Sequence, residues 1–450
     1  MAHSQKSIRD HARNRSYPNI DNKAIAQQLE DLVKPCVYNQ LAYYRSLGMR
    51  ARILSLPLML AAMLTLVWRQ VPSCRELNRM LARENLLWAK ATSVSQQALS
   101  QRLLTFPASM FEKVLTDLLV TLNQRWHQRT KRPLPLSVTY ASQHFERLWL
   151  VDASTLEALF RKLKSLESST LGKLGGRICA VVDLKTRYPI QTWFNEKPYA
   201  HESNFVPDLL KLVTPQTLLL LDRGFWNYGL FEQLILAQSE FITRLKTNAK
   251  YKSLSVLSQS SHHRDERWSV PTASLANRQS RLIRLGTGYQ GNPILDLRLV
   301  EIRHGHSWYR YLTSVLDPEV LPPFVVSDLY SRRWRIEESF LLLKRLLGLS
   351  YLWTGSINGI KLQIWSTWLF YAVLLDLCDE IADELTLPMN SISVEMVFRG
   401  IYHFTQALNH GNASNLVSYL TAPENRDLGI VKSARPKRAK PLLDLSPSPS

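Results

Sequence analysis

Residues 148–155 read LWLVDAST and residues 218–225 read LLLLDRGF, and these two stretches decide the fold. Each is a short apolar run that ends in an aspartate, Asp152 in the first and Asp222 in the second. Apolar runs without alternation are typical of strands that are buried on both faces of a sheet. Catalytic groups of α/β sheets collect at the carboxyl ends of strands, so both aspartates are candidate site residues. A turn or helix-capping role is the alternative for each, and Asp183, which also follows an apolar run, shows that the pattern alone is not specific.

The segments around these two stretches predict a mixed α/β sheet. Residues 177–186 (RICAVVDLKT), 188–196 (YPIQTWFNE) and 240–246 (EFITRLK) are short β-rich runs. Helical stretches are predicted at residues 203–213 and 227–238. Strands that come first as consecutive hairpins and are then interleaved with helices indicate a sheet with antiparallel and parallel pairs.

The length of 450 residues suggests two or three domains, although one large fold with an insertion also fits. The character of the sequence changes from helical to strand-like near residue 148, and becomes polar and Ser-rich after residue 250. The predicted segments are a helical N-terminal DNA-binding region (1–130), the first part of an α/β core (140–250), a β-rich insertion (251–316), a core helix (317–350), a C-terminal helical region (351–430) and a disordered basic tail (431–450).

The charge balance points to a polyanionic partner. The chain has 56 Lys and Arg against 37 Asp and Glu, a formal net charge of +19. Nucleic acid or an anionic membrane surface would explain this excess, and a basic but unrelated enzyme is the alternative. Residues 74–105 contain a helix, a short break and the run VSQQALSQRL at 94–103, which resembles the second half of a helix-turn-helix. Many solvated helices share that pattern, so the assignment stays open.

Two apolar stretches invite comparison with a membrane span. Residues 53–68 are nearly uncharged but number only 16 and include Pro57, whereas a span needs about 20 apolar residues. Residues 362–378 include Asp376. Both stretches are therefore predicted to be core helices, and no membrane partner is expected. The four cysteines are far apart, which favours neither a zinc site nor disulfides and fits a reducing, cytoplasmic compartment.

A long helix is predicted from residue 324 to residue 347. On a helical wheel Tyr330, Arg333, Glu337 and Lys344 fall within about 60° of one another, whereas Glu338 points about 100° away from Glu337 and is predicted to be solvated. An adjacent stripe of apolar residues would pack on the sheet: Leu329, Ile336, Phe340, Leu343 and Leu347. The alternative is a wet helix face that carries ion pairs between residues four apart.

The spacing Y-x2-R-x3-E-x6-K, formed here by Tyr330, Arg333, Glu337 and Lys344, resembles that of the insertion-sequence transposases of the "IS-four" group. These are DDE enzymes with an RNase H-like catalytic core. The resemblance covers about residues 148–349 and implies an RNase H-like mixed sheet with a β-rich insertion, flanked by N- and C-terminal helical regions.

The sequences around Asp152 and Asp222 are similar to the first and second aspartate motifs of that group. The resemblance implies that Asp152, Asp222 and Glu337 are the catalytic residues and the ligands of two Mg²⁺ ions, or of Mn²⁺ in their place. Two ions about 3.5–4 Å apart can activate a nucleophile and stabilise the leaving oxygen of a phosphodiester. Asp183 and Glu338 are predicted to be dispensable.

Four further side chains are expected to bind DNA by the same resemblance. Arg333 and Lys344 would hold phosphates of the transposon end, and Tyr330 would hydrogen-bond to the backbone near the cleaved nucleotide. Hairpin-forming relatives stack a flipped base on an aromatic residue of the insertion, for which Trp308 and Trp268 are the candidates. A tryptophan in a β domain is more often part of a core.

The function that the resemblance implies is DNA transposition. The protein would bind the inverted-repeat ends of a transposon, cleave them and join the 3′-OH ends to target DNA, as a homodimer assembled across two ends. It would work in a bacterial cytoplasm, with the nucleoid. Two alternatives remain: a metal-dependent nuclease of the same fold that only cleaves, and a catalytically silent DNA-binding relative.

Overall fold

The computed structural model describes residues 22–49, 52–157, 174–260, 278–287, 291–304 and 307–432. Trp268 and nearly all of the predicted basic tail lie outside these residues. The described residues form nine strands: β1 (Arg147–Glu157), β2 (Leu174–Asp183), β3 (Pro189–Asn195), β4 (Thr217–Leu221), β5 (Glu240–Arg244), β6 (Tyr251–Ser260), β7 (Arg278–Leu285), β8 (Leu295–His304) and β9 (Ser307–Thr313). They also form fourteen α-helices: α1 (Lys23–Asn39), α2 (Leu41–Ser46), α3 (Leu56–Trp68), α4 (Cys74–Arg83), α5 (Gln96–Thr105), α6 (Ser109–Gln128), α7 (Leu136–Ala141), α8 (Val206–Leu212), α9 (Tyr228–Leu236), α10 (Pro323–Ser331), α11 (Trp334–Arg345), α12 (Ile357–Glu384), α13 (Val394–Asn409) and α14 (Leu416–Thr421).

The strands form one mixed sheet in the order β3-β2-β1-β4-β5-β9-β8-β7-β6. β1, β4 and β5 are parallel to one another, and the other neighbouring pairs of described strands are antiparallel. The first five strands, 3-2-1-4-5 with β2 reversed against β1, have the order and directions of an RNase H-like sheet. The prediction of an α/β fold with an RNase H-like mixed sheet is therefore confirmed.

The leucine runs fill both faces of this sheet. Leu218 and Leu220 face one core, to which the N- and C-terminal helices contribute, whereas Leu219 and Leu221 face a second core with α8 and α9. Because successive side chains of a strand point to opposite faces, a strand between two helical layers has to be apolar at every position. This explains the absence of alternation in residues 217–221, all five of which are buried.

The strands between residues 251 and 313 continue the same sheet. β6, β7, β8 and β9 form antiparallel hairpins, and β9 pairs with β5 through Ile242 opposite Thr313. The hairpin of β8 and β9 therefore projects from the sheet beyond the end of β5.

The N- and C-terminal helices pack together on one side of the sheet. The 28-residue α12 contacts both α3 and α6, and α3 is buried along almost its whole length. An ion network joins the end of α6 to α12: Arg125, Arg129 and Arg132 with Asp376, Asp379, Glu380 and Asp383. Within the described ranges, no helix combines the length and apolar character needed to cross a membrane.

The helix predicted at residues 324–347 is in fact two helices, so that prediction was wrong in detail. α10 ends at Ser331 and α11 begins at Trp334, with a tighter turn between them in which the amide of Arg335 donates to the carbonyl of Arg332 at 2.9 Å. Such three-residue turns rotate the chain further per residue than an α-helix does. The turn lets Arg332 reach Asp328 on α10 while Arg333 points towards the sheet.

Candidate active site

The register of the parallel strands places the two aspartates side by side. Val151 of β1 lies opposite Leu221, the last residue of β4, so Asp152 and Asp222 are level with each other. Asp222 directly follows its strand as predicted, whereas Asp152 lies inside the longer β1, opposite Ala180 of β2, so its predicted place at a strand end was wrong. Neighbouring strands lie about 4.8 Å apart. Asp222 also accepts a hydrogen bond from the amide of Gly224 at 3.2 Å and caps a short 3₁₀ turn. The capping interpretation of Asp222 and its position at the site therefore both hold.

Asp183 lies at the other edge of the sheet. It is opposite Trp149 because β2 runs antiparallel to β1, so its strand ends where β1 begins. Its carboxylate accepts hydrogen bonds from the amides of Lys185 and Thr186 at 2.9 and 2.8 Å. Asp183 is thus a turn residue, as the alternative interpretation of strand-end aspartates allowed.

The third carboxylate comes from α11, and one arginine lies among all three. The guanidinium of Arg333 donates from Nη1 to Asp152 at 2.9 Å and from Nη2 to Glu337 at 2.8 Å. The same Nη2 lies 3.4 Å from Asp222. The structure therefore brings three of the predicted site carboxylates together around a fourth predicted site residue, the buried guanidinium of Arg333. A guanidinium with donors on two nitrogens can bridge carboxylates in this way, whereas a lysine ammonium is a point charge.

Burial shapes the protonation of Asp152. Burial raises the pKa of its carboxyl from 3.8 to about 7, and the nearby charge of Asp222 adds to the rise, while the Arg333 guanidinium opposes it. The cost of removing this carboxylate from water thus exceeds what one guanidinium returns. A carboxyl group that has a raised pKa and lies beside other acids is typical of functional sites.

Tyr330 and Lys344 extend the site in two directions. The Tyr330 ring is buried beside Arg333, with the guanidinium carbon 5.8 Å from the ring centroid, and burial raises the pKa of its hydroxyl to about 12. Lys344, two turns after Glu337 on α11, donates from Nζ to the hydroxyl of Ser154 on β1 at 2.6 Å. Tyr330, whose hydroxyl stays protonated, and Lys344, which is held beside Ser154 two residues after Asp152, can both donate hydrogen bonds to a bound anion.

Trp308 stands apart from the acids. It lies on β9 in the hairpin with β8, opposite Arg303, and its side chain is partly exposed. Tyr311 of the same strand is level with Arg244 at the end of β5, so Trp308 lies about 10 Å further out along the hairpin, at about 3.3 Å per residue. The hairpin projects beyond the edge of the sheet at which the parallel strands end.

Glu338 lies on the other side of the helix from Glu337. Its two carboxylate oxygens, Oε2 and Oε1, both accept from Nη1 of Arg335, at 2.8 and 3.0 Å, and its side chain is exposed. The helical wheel predicted that Glu338 is solvated and points away from the stripe that carries Glu337; its side chain is indeed exposed, whereas Glu337 bonds to Arg333.

Arg244 lies beside the site but was not among the residues predicted from the sequence. Leu220 of β4 lies opposite Ile242 of β5, which makes Arg244 level with Asp222 at the end of the third parallel strand. Arg244 lies 5.6 Å from the ring centroid of Tyr309 and is close enough to Tyr330 to lower the pKa of its hydroxyl. The run EFITRLK carries the signal, because it ends a predicted strand, but only the parallel register shows that this end adjoins the acids.

The three carboxylates suit a metal cation by their chemistry. Hard divalent cations prefer carboxylate oxygens, and the oxygens of Asp152, Asp222 and Glu337 already converge on the positive charge of Arg333. Among the described residues, no three acidic, histidine or cysteine side chains are close enough to share a metal ion as they are arranged here. The guanidinium separates the acids, and a metal would have to take its place.

Comparisons with known proteins give a family for the core. Residues 143–372 match the family described as the transposase DDE domain. The chain is 25% identical over 182 residues to the transposase InsG for insertion sequence element IS4 of Escherichia coli (strain K12), which covers 38% of this chain and 37% of that protein. The match thus spans little more than a third of that relative's length. Among solved structures, the piggyBac transposase synaptic complex with hairpin DNA aligns with a TM-score of 0.39 and 12% identity, over 93% of this chain and 87% of that one.

Proposed function

The chain belongs to the family of the transposase DDE domain, whose match covers just over half of its residues, and on that premise we propose that it is a DNA transposase. It would cleave the inverted-repeat ends of a mobile element and join their 3′-OH ends to target DNA. The observation that carries the proposal is the meeting of Asp152, Asp222 and Glu337 around Arg333 at the end of the parallel strands.

The use of a divalent metal is general to this family. We assign Asp152, Asp222 and Glu337 as its ligands here, with two Mg²⁺ ions, or Mn²⁺, as the expected cations. Bound there, the metal would supply the activation of the attacking oxygen and the stabilisation of the leaving oxygen. Asp152 and Asp222 suit this role because strands of the core fix their positions, whereas Glu337 sits on a helix packed against β1.

Arg333 would have two successive roles. In the protein alone its charge offsets the mutual repulsion of the three carboxylates. Once the acids are engaged by metal, its guanidinium is released for a phosphate of the DNA end, which suits its planar set of donors. Lys344 would hold a second phosphate, and Tyr330 would donate to the backbone near the cleaved nucleotide. Trp308 would stack on a base extruded from the duplex, since its hairpin projects from the same edge.

The remaining parts of the chain have proposed roles in DNA binding. Residues 140–250 and 317–350 would form the catalytic core, with residues 251–316 inserted between them and residues 351–430 as a C-terminal helical region. The N-terminal region, residues 1–130, would bind the transposon end. The exposed Gln97, Ser100 and Gln101 of α5 are of residue types that can contact base edges.

Two active sites are needed to process two ends, so we propose a homodimer in the complex with DNA. The net charge of +19 is consistent with a large share of phosphate contacts, whose affinity falls steeply with salt. An enzyme that rearranges chromosomal DNA would act at the nucleoid of a bacterial cytoplasm.

The decisive experiment compares two neighbouring glutamates. A labelled fragment of the DNA that flanks the gene is incubated with Mg²⁺ and wild-type protein, Glu337→Ala or Glu338→Ala. We expect the wild type and Glu338→Ala to cut at a discrete end, and Glu337→Ala to bind the fragment with no detectable cleavage. Loss of one metal ligand should lower the rate by at least about a hundredfold.

Each alternative predicts a different outcome of this assay. Equal cleavage by Glu337→Ala and wild type would show that the site assignment is wrong. The helix face that carries Arg333, Glu337 and Lys344 would then have a structural role only. Cleavage without joined products in the presence of target DNA would favour a nuclease that only cuts. Binding by all three proteins with no cleavage would favour a catalytically silent DNA-binding protein.

A further inference from the structure

A small basic pocket lies behind α11, away from the three acids. Its volume is about 40 Å³, which is enough for two or three water-sized groups or one small anion. It lies between the segment before α7, the turn from β2 to β3 and the start of α11. Five basic residues and one acid line it: Arg132, Lys185, Arg187, Arg332, Arg335 and Asp379. Arg335 is two positions before Glu337 and so points about 160° away from it around the helix.

Two of the five cations have no carboxylate of their own. Three are paired with nearby acids: Arg132 with Asp379 and Asp383, Arg332 with Asp328, and Arg335 with Glu338. Among the described residues, the ammonium group of Lys185 donates to the carbonyl oxygen of Glu146 at 3.3 Å, and its charge lies near Asp183. The guanidinium of Arg187 has no hydrogen bond and no carboxylate within 4 Å among the described residues, although the charge of Glu338 is near enough to favour its ionised form. The five cations that line the pocket thus face four nearby carboxylates, which leaves an excess of one positive charge around it.

The turn that presents Arg187 is rigid and strained. The amide of Arg187 donates to the carbonyl of Asp183 at 2.9 Å, and the Asp183 carboxylate accepts from the amides of two of the three residues between them, Lys185 and Thr186. Arg187 itself has φ of +64°, in the left-handed region that costs a residue with a side chain roughly 1–2 kcal/mol. Burial and the nearby charge of Arg335 lower the pKa of its guanidinium. A strained residue with an unpaired charge lowers the stability of the free protein, which is typical of a functional position.

The end of the described chain adds another cation at the rim of the pocket. The amide of Lys432 donates to the carbonyl of Ser391 at 2.8 Å, which fixes its backbone beside the residues that line the pocket. Its charge interacts with those of Arg187, Arg335 and Glu338. Cations therefore approach the same space from the turn, the helix and the C-terminal segment, three directions that suit a tetrahedral oxyanion better than a planar carboxylate.

We infer that this pocket binds a phosphate group. Arginine forks and lysine ammonium groups are the side chains that bind phosphate most often, and here they come from separate, rigidly held elements. A phosphodiester of duplex DNA is the favoured source, and that assignment rests on the proposed function. Because the pocket lies at the opposite edge of the sheet from Asp152, the phosphate would belong to a different part of the DNA from the one that is cleaved.

The first test uses inorganic phosphate and no DNA. Phosphate binding is measured by calorimetry and by the thermal midpoint, against chloride at equal ionic strength, for wild type and Arg187→Gly. Glycine at φ of +64° relieves the strain, so the variant should unfold at or above the wild-type temperature and bind phosphate at least tenfold more weakly. Lys432→Gln, at an exposed position, should weaken phosphate binding without affecting the fold. Arg399→Gln, a surface charge paired with Glu395, is the matched control and should bind like wild type.

The second test identifies the source of the phosphate. The dependence of duplex DNA affinity on salt is measured without divalent metal, and Arg187→Gly should reduce the slope of log K against log salt by about 1, with Arg399→Gln unchanged. An unchanged slope together with lost phosphate binding would assign the pocket to a small phosphate-bearing ligand and overturn the DNA source. No phosphate effect in wild type and no change of slope would overturn the pocket as an anion site. Neither the anion site nor DNA as the source of its phosphate depends on cleavage. Failure of the Glu337→Ala cleavage test would therefore leave both inferences unchanged.

Discussion

Replacement of Arg333 by glutamine should destabilise the protein while it strengthens metal binding. In the wild type the guanidinium and Asp152 form a buried pair, with side chains 7% and 12% exposed. Loss of one partner of a buried pair costs about 3–5 kcal/mol, because the other charge is left without compensation. Asp222 and Glu337, each about one-third exposed, should add no more than about 1 kcal/mol apiece. The free energy of unfolding should therefore fall by about 3–5 kcal/mol, and most of the loss belongs to Asp152.

Magnesium should reverse part of this loss in the variant. Without the guanidinium, the cation no longer competes with a resident positive charge for the three carboxylates. We expect Mg²⁺ to bind Arg333→Gln at least tenfold more tightly than wild type, which adds about 1.4 kcal/mol of stabilisation at Mg²⁺ concentrations well above both dissociation constants. Cleavage should nevertheless fall, because the same residue would hold a phosphate of the DNA end. Tighter metal binding with weaker catalysis is the signature of a residue with both roles.

The assay is urea unfolding followed by circular dichroism at pH 8.5, in EDTA and in Mg²⁺, with calorimetry for the metal. At that pH Asp152, whose pKa burial raises to about 7, is ionised. Arg335→Gln is the matched control, since it removes the same charge from the same helix but leaves only Glu338, which is 48% exposed. It should cost less than about 1 kcal/mol and leave Mg²⁺ binding unchanged. Equal costs for Arg333→Gln and Arg335→Gln, or equal Mg²⁺ stabilisation of both, would refute the reasoning.

Two further predictions concern the ion network between α6 and α12. Arg129→Gln removes a buried guanidinium that bonds to Asp376 at 2.8 Å and to Asp379 at 3.1 Å. It should lower the free energy of unfolding by about 2–4 kcal/mol in urea, whereas Lys131→Gln, whose partner Glu384 is exposed, should change it by less than about 0.5 kcal/mol. Burial raises the pKa of Asp379 above its ordinary value of 3.8, against the effect of its arginines. The folded form thus keeps a proton that the unfolded chain has released, so this residue's contribution to stability falls as pH rises from about 4 through the folded pKa. Asp379→Asn should flatten that part of the pH profile of urea midpoints, and an unchanged profile would contradict the assignment.

The strands of the sheet and the helices that cover it could be predicted largely from the spacing of apolar residues within each element. Strands without alternation, such as residues 217–221, require helices on both faces, and the structure has them. The helical spacing of Glu337 and Glu338 separated a residue that faces the sheet from one that faces solvent. These inferences succeed because periodicity is a property of a single element, and the element's own geometry sets which residues share a face.

The rest depends on relations between elements that sequence does not carry. Asp152 and Asp183 both end apolar runs, and only the direction of β2 puts Asp183 at the other edge. The parallel register of β4 and β5, which the sequence does not show, makes Arg244 a neighbour of the site. A tight turn separates α10 from α11 where an unbroken helix had been predicted, and the ion pairs of Arg333 with Asp152 and Asp222 join this turn to residues of other elements. Direction, register and a local break are decided by packing over the whole domain.

The dependence of the N-terminal helices on α12 also has a consequence for synthesis. α6 ends at Gln128, but α12, against which it and α3 pack, is complete only at Glu384. A ribosome adds about 5–20 residues per second, so roughly 10–50 s pass between the synthesis of α6 and that of α12. The apolar surfaces of α3 and α6 stay uncovered by α12 for that time. During that interval a nascent chain presents uncovered hydrophobic surface, a ligand for chaperones. A gene interrupted before α12 would therefore yield a product open to proteolysis, and would not yield a free-standing DNA-binding module.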